Sequence, residues 1–405
     1  MTEKRDGRWV AVALLWWVCF FNYADRQAIF SVFPLLSRDL HLGPYQLGFV
    51  GSAFMWMYAV TGPIAGRLCD RFSRKWIIVI ALTLWSLVTG ATAFVHTLTP
   101  LIVLRTLSGL GEAFYFPAAL SLLADYHGPD TRSRALAFHQ SGVYVGTVAG
   151  GGLAAWIAER SGWHQSFAFF GAGGLVLAVI LALYLRQPHM RNTVKRMPET
   201  LNLEKQLFRL AQNQRAQLLV CIFIGANFVA SCFLTWLPTF LYQRWHLNVA
   251  SAGLQSTIYV QVASILGVLL GGVLADRMSR KRRGGRMRTQ AIGLFVGAPF
   301  LLLFGGASAL SLVIFALIGF GLAKGIYDSN IWASLYDTVS EEERGFAAGL
   351  MNSLGWIGGG LAPLYVAGLS KRLGMAHALG NTGWLYLLLG LLMALLASRF
   401  ARFNQ

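Results

Sequence analysis

Apolar stretches long enough to cross a bilayer recur from one end of this chain to the other, and they leave little choice of fold. They cover residues 9–33, 45–69, 76–95, 100–124, 134–158, 164–185, 216–241, 251–275, 288–308, 310–334, 345–369 and 381–400. Each matches the roughly 20 residues of helix needed to span a hydrocarbon core. Backbone polar groups find no water there, so such runs fold as α-helices. The prediction is an all-α membrane protein with twelve transmembrane helices. A chain of 405 residues that is 56% hydrophobic and 13% charged is too apolar for a water-soluble domain of that size. The short connections leave no room for a soluble catalytic domain.

The chain is also duplicated. GRLCDRFSRKW, with Gly66, Asp70, Arg71, Arg74 and Lys75, recurs 206 residues later as GVLADRMSRKR, with Gly272, Asp276, Arg277, Arg280 and Lys281. A second pair of segments matches at an offset of 212, through Gly109/Gly321, Tyr115/Tyr327, Asp125/Asp337, Arg132/Arg344 and Gly146/Gly358. Two halves reading in the same direction predict parallel repeats about an axis along the bilayer normal, with a site where they meet. We therefore expect two pseudo-symmetric six-helix bundles over 1–185 and 216–405. The polar stretch 186–215 is a cytoplasmic linker, with a surface helix near 201–210.

The net charge of +17 invites a nucleic-acid partner, but the placement of the bases excludes one. Of 34 Lys and Arg, 26 fall in segments on one side of the predicted membrane and five on the other. That asymmetry puts both termini in the cytoplasm and the bases against anionic headgroups. The first apolar run follows Lys4, Arg5 and Arg8 yet is too long for a signal peptide, so it reads as a retained helix in the cell membrane. Four cysteines and eight histidines show no metal spacing, His139 reads as structural, and no phosphate-binding loop is present. No metal or cofactor is expected, and the lipid bilayer is the expected surrounding of a functional monomer.

The acid-and-base loops, the Arg105-x-x-x-Gly109-x-Gly111 pattern and the six-plus-six layout resemble the major facilitator superfamily. Within it, Asn22-Tyr23-Ala24-Asp25-Arg26 is similar to the signature of the anion:cation symporters. Arg105 with Glu112, and Trp236-Leu237-Pro238-Thr239, add to that likeness. Spinster-type lysolipid transporters share the elements on the first and fourth spans. The resemblance implies a secondary transporter and gives these buried residues coupling and binding roles.

Read from the residues themselves, six ionisable groups stand inside spans: Asp25, Arg26, Arg105, Glu112, Lys324 and Asp328. Each would cost roughly 2.5–3.5 kcal/mol at a lipid-exposed helix centre, so they are expected to face a wet interior and one another. Arg105 and Glu112 are seven apart, on one face and roughly 10 Å apart along the axis. Asp25 and Arg26 lie at a depth between them, each able to meet a partner of opposite sign. The four charges sum to zero, and a proton on Glu112 or Asp25 would leave Arg26 free to hold a carboxylate. Asp25, Glu112 and Arg105 are thus the expected proton-coupling set. Arg26, Asn22, Tyr23, Lys324, Tyr327, Asp328, Gln140, Asn227, Tyr259 and Asn352 are the expected substrate contacts. Lys324 is Glu112 plus 212, which makes it a second candidate anchor or a partner for Glu112; Lys324 and Asp328, four apart, can also neutralise each other.

A cytoplasmic gate is expected from Gly66, Asp70, Arg71, Arg74, Gly272, Asp276, Arg277 and Arg280, with Asp125, Asp337 and the acids at 341–343 as partners. Glycines at four-residue spacing, Gly142, Gly146 and Gly150, predict close helix packing. The expected function is proton-coupled symport of a small organic anion, such as a sugar acid, by alternating access, and no enzyme constellation is visible. Lysolipid transport, drug/proton antiport and a membrane nutrient receptor remain open as alternatives.

Overall fold

The structure, a computed structural model, describes residues 3–186, 203–281 and 284–402. Every regular element among them is helical. The chain divides into two compact units, Met1–Met197 with Leu234–Thr257, and Pro198–Phe233 with Ile258–Gln405. The division therefore falls inside two helices, whereas the sequence places it in the 186–215 linker. Residues 187–202 of that linker lie outside the described residues.

The first unit begins with α1 (Glu3–Ser31), α2 (Phe33–Asp39), α3 (Pro44–Arg71) and α4 (Arg74–Thr92). It continues with α5 (Leu98–Glu112), α6 (Tyr115–Tyr126), α7 (Pro129–Ser161) and α8 (Trp163–Tyr184). The main pairings are α1 on α7, α3 on α5, and α4 on α5 and α8. The glycine ladder explains the first of these. A Cβ at Gly142 would stand 3.1 Å from Cys19 Cβ, one at Gly146 would stand 3.0 Å from Phe20 Cα, and one at Gly150 would stand 2.6 Å from Ala24 Cα. Each four-residue step along α7 meets the next turn of α1, and only a missing side chain allows that approach. Trp85, Tyr115, Leu82, Leu122 and Leu181 form the core beside it.

The other helices are α9 (Leu203–Gln212), α10 (Gln214–Trp245), α11 (Val249–Lys281) and α12 (Gly285–Gly306). They are followed by α13 (Leu310–Asp328), α14 (Ile331–Tyr336), α15 (Arg344–Leu373), α16 (Met375–Gly380) and α17 (Thr382–Arg402). Here α12 packs on α13 and α17. Gly267 and Gly325 bring α11 against α13, a Cβ at Gly325 standing 2.8 Å from Gly267 Cα. The duplication reaches the turns: Gly162 (φ 87°) and Gly374 (φ 80°) are 212 apart, and each joins two helices through a backbone conformation that favours glycine.

Among the described residues, ten helical segments are long and apolar enough to cross a bilayer. α1 and α15 match them in length but carry Asn22, Asp25, Arg26 and Gln27, or Asn352 and several glycines, within the apolar run. Ten plus these two is consistent with twelve. Large apolar side chains such as Val60, Ile64, Leu183, Leu269 and Trp384 are exposed, as an acyl-chain surrounding requires.

Two expected spans are broken. The run 100–124 is interrupted between α5 and α6, because Pro117 offers no N–H to the carbonyl of residue 113 and its ring crowds that carbonyl. The run 310–334 is interrupted after Asp328, where Ser329 Oγ donates to Ile326 O at 2.8 Å and Asn330 to Gly271 O at 3.4 Å. Such side chains offer the backbone an alternative to helical bonding. Each break follows an acid, Glu112 in one unit and Asp328 in the other.

Candidate functional site

The chemistry-bearing residues of the first unit converge where α1, α3, α4 and α5 meet. Gly109 lets α5 approach α3, a Cβ there standing 3.2 Å from Tyr58 N, and Gly111 lets it approach α4, at 3.2 Å from Trp85 Cβ. That close approach carries Arg105 and Glu112 inward to face α1. Arg26 donates to Glu112 Oε2 from Nη2 at 2.8 Å and from Nε at 3.3 Å, and Nη2 also reaches Asn22 Oδ1 at 3.2 Å. Its guanidinium lies 4.7–5.0 Å from the ring centroids of Tyr23, Phe54 and Tyr58. Charge and aromatic faces together hold a cation that is only 6% exposed.

Asp25 and Arg105, each 2% exposed, complete the set. Asp25 Oδ2 accepts from Thr89 Oγ1 at 2.6 Å. Among the described residues it forms no ion pair within 4 Å with Arg105, the base that its expected depth put within reach. Arg105 lies over Phe54, 4.8 Å from the centroid. Its Nε and Nη2, the side-on fork that suits a carboxylate, have no hydrogen-bond partner among the described residues. The same holds for Asn22 Nδ2, Asp25 Oδ1 and Glu112 Oε1. Buried polar atoms are rarely left so. Here open donors and open acceptors stand in one place, a complement suited to a ligand carrying both a carboxylate and hydroxyls.

The second unit treats its expected residues differently. Lys324 pairs with Asp328 on the next turn of α13, so the local neutralisation that the spacing allows is the one present, and Glu112 takes its bonds from Arg26. Tyr327 is buried, and Gln290 donates to its backbone carbonyl at 3.5 Å. Asn227 lies against Gly355, where a Cβ would stand 2.7 Å from its Nδ2. Tyr259 and Asn352 are half-buried, Gln140 of the first unit is exposed, and none of the three forms a side-chain hydrogen bond among the described residues.

The expected gate is partly rearranged. Arg74 pairs with Asp125, as the spacing allows. The equivalent partner of Asp337 is Arg286 (Nη1 to Oδ1 2.9 Å and Oδ2 2.8 Å), in place of Arg277 or Arg280. Each pair lies within its own unit, Arg74 with Asp125 in the first and Arg286 with Asp337 in the second, and each links the start of a third span to the end of a fourth. Arg71, Asp276, Arg277 and Arg280 are exposed and form no ion pair within 4 Å among the described residues; the side chain of Asp70 lies outside them. A Cβ at Gly66 or Gly272 would meet no atom of its own unit within 4 Å, so neither glycine is required for packing there. Glu343 pairs with Arg209 of α9, and Glu341 with Arg344; the side chain of Glu342 lies outside the described residues.

Sequence reasoning missed Thr89, Phe54 and Tyr58, for which the chain carries no motif. It also missed Arg286, which the 212 offset marks as the copy of Arg74.

A many-helix membrane protein that buries two arginines and two acids in one neutral cluster belongs to the class of solute carriers that move ions or polar solutes. Residues 15–363 match the Major Facilitator Superfamily, and the chain belongs to that family: it is a membrane transporter and not an enzyme. It is 27% identical over 406 residues to the "Probable galactarate/D-glucarate transporter GudP" of Escherichia coli strain K12, covering 90% of this chain and 87% of that one. It is 27% identical to the "Hexuronate transporter" of Bacillus subtilis strain 168, covering 84% and 83%. With the "D-galactonate transporter" of Escherichia coli O6:H1 the identity is 26%, covering 92% and 91%. In fold it is similar to a bacterial homologue of the human lysosomal transporter Spinster, crystallised in an inward-facing and unoccupied conformation. The TM-score is 0.82 at 18% identity, over 97% of this chain and 98% of that one.

Proposed function

We propose that this transporter is a proton-coupled symporter of a small organic anion, a sugar acid by class, working by alternating access in the cell membrane with both termini cytoplasmic. The observation that carries the reading is the Arg26–Glu112 pair, closed through Nε and Nη2 inside a buried four-charge cluster. A proton on Glu112 removes the acceptor charge that holds Arg26. The cluster then carries a net positive charge in a place that water does not easily screen, and a substrate carboxylate restores neutrality. Arg26 supplies one planar fork for that carboxylate and Arg105 a second, while Asp25 and Asn22 face the hydroxyls. Proton and anion therefore stabilise the same state, which is what coupling requires. The relatives named for galactarate, glucarate, hexuronate and galactonate support the substrate class.

The test is uptake into proteoliposomes under an imposed pH gradient, with a panel of sugar acids, dicarboxylates and lysolipids. An inward proton gradient is expected to concentrate a sugar acid. Glu112→Gln is expected to abolish that accumulation while leaving counterflow of unlabelled for labelled substrate. Accumulation that persists in Glu112→Gln would remove Glu112 from the coupling role, and uptake of lysolipid alone would remove the sugar-acid class.

A further inference from the structure

α10 carries Pro238 in its interior, within Trp236-Leu237-Pro238-Thr239. A proline there has no N–H to give the carbonyl four residues back, and its ring pushes that carbonyl off the helix axis. The carbonyl is that of Leu234. It is satisfied from outside the helix: Gln27 of α1, 3% exposed, donates Nε2–H to Leu234 O at 3.0 Å. Both residues belong to the first unit, and Phe33 of α2 packs edge-on against Trp236 beside them, 5.6 Å between centroids. Gln27 is also the residue after Arg26. A side-chain amide adjoining the coupling pair thus replaces the missing bond at a proline break in another helix.

We propose that Gln27 is a positioning residue that joins the coupling pair to the proline break in α10. A shift of α1 that accompanies release of Arg26 from Glu112 must carry Gln27 with it, and the Leu234 carbonyl either follows or loses its donor. Because a buried carbonyl without a donor is costly, α10 at the break moves with α1. A helix kinked at proline is the element that can absorb such a change of angle. This role rests on the proposed coupling at Arg26 and Glu112, but the identity of the substrate does not enter it.

The test uses the fact that the break has its own cure. Pro238→Ala restores an N–H to the carbonyl of Leu234 and makes the amide of Gln27 redundant. Amide hydrogen exchange of the peptide spanning 234–242 is measured by mass spectrometry in the full-length protein. Gln27→Leu is expected to speed exchange on the order of tenfold, the factor set by loss of a buried hydrogen bond. In the Pro238→Ala background the same change at Gln27 is expected to have no further effect. In transport, Gln27→Leu lowers the maximal exchange rate more than it changes KM, and Gln27→Asn, one methylene too short to reach, behaves like Leu. Equal effects of Gln27→Leu with and without Pro238 would overturn the proposal, because the two residues would then act independently. Loss of substrate binding with unchanged exchange at 234–242 would also overturn it, placing Gln27 in the binding site. Failure of the sugar-acid reading would leave the exchange result untouched.

Discussion

The contact between α7 and α1 gives a graded series whose outcome can be worked from distances. An ideal Cβ at Gly142 stands 3.1 Å from Cys19 Cβ and from Trp16 O, a few tenths of an ångström inside ordinary contact. At Gly146 it stands 3.0 Å from Phe20 Cα and 2.5 Å from Phe20 O. At Gly150 it stands 2.6 Å from Ala24 Cα and 2.8 Å from Ala24 C, about 0.8 Å inside the 3.4 Å at which ordinary contact begins, and the obstacle is backbone that cannot rotate away. Overpacking costs about 1–3 kcal/mol, while replacing a helical glycine by alanine returns about 1 kcal/mol in propensity. Gly142→Ala should therefore come out near zero, Gly146→Ala mildly destabilised, and Gly150→Ala destabilised by about 2 kcal/mol or more. At about 2–4 °C per kcal/mol for a domain of 150–250 residues, the last loses roughly 4–8 °C in melting temperature, measured by fluorescence in detergent. It also moves the turn that carries Asp25, whose bond to Thr89 is 2.6 Å long, so uptake should fall most steeply at Gly150. Gly150→Ala as stable and as active as Gly142→Ala would refute the reasoning, because α1 would then have room to yield.

Two further outcomes follow from the Arg286–Asp337 and Tyr115–His139 pairs. Arg280→Ala should leave uptake unchanged, whereas Arg286→Ala should lower it and the swap Arg286→Asp with Asp337→Arg should restore it; a larger effect at Arg280 in proteoliposome uptake would return the pairing to the loop motif. The Tyr115 hydroxyl donates to Leu15 O at 2.6 Å and stands 2.7 Å from His139 Nε2, so that nitrogen must carry the proton and donate to Tyr115. Tyr115→Phe leaves the buried His139 Nε2–H without its acceptor, while Leu15 O keeps its helical bond, and should cost about 1–3 kcal/mol in thermal stability. Tyr115→Phe with His139→Leu should cost less than the sum of the two single changes; strict additivity would show that the pair does not act as a unit.

How much of this was legible depended on whether the physics was local. The spans, the buried charges and the common face of Arg105 and Glu112 follow from hydropathy and helical period, which the chain states directly. That Arg26 would bond Glu112 while Asp25 bonds Thr89 depends on the rotation of three helices about their axes, which no spacing encodes. The break before α6 had a local cause in Pro117 and could be read; the one after Asp328 had none as plain. The loop repeat misled in an instructive way. Its copies align at 206, pointing from Arg74 to Arg280, while the helices that follow align at 212, pointing from Arg74 to Arg286 and from Asp125 to Asp337. Six extra residues lie between the second copy of the loop and its next helix, so likeness of pattern and equivalence of place separate there. The structure follows place. One base at the start of each third span binds the acid at the end of the fourth, while Arg71, Arg277 and Arg280 stay exposed. The repeated motif thus divides into a clamp inside each unit and a basic surface, and only the clamp depends on a particular partner.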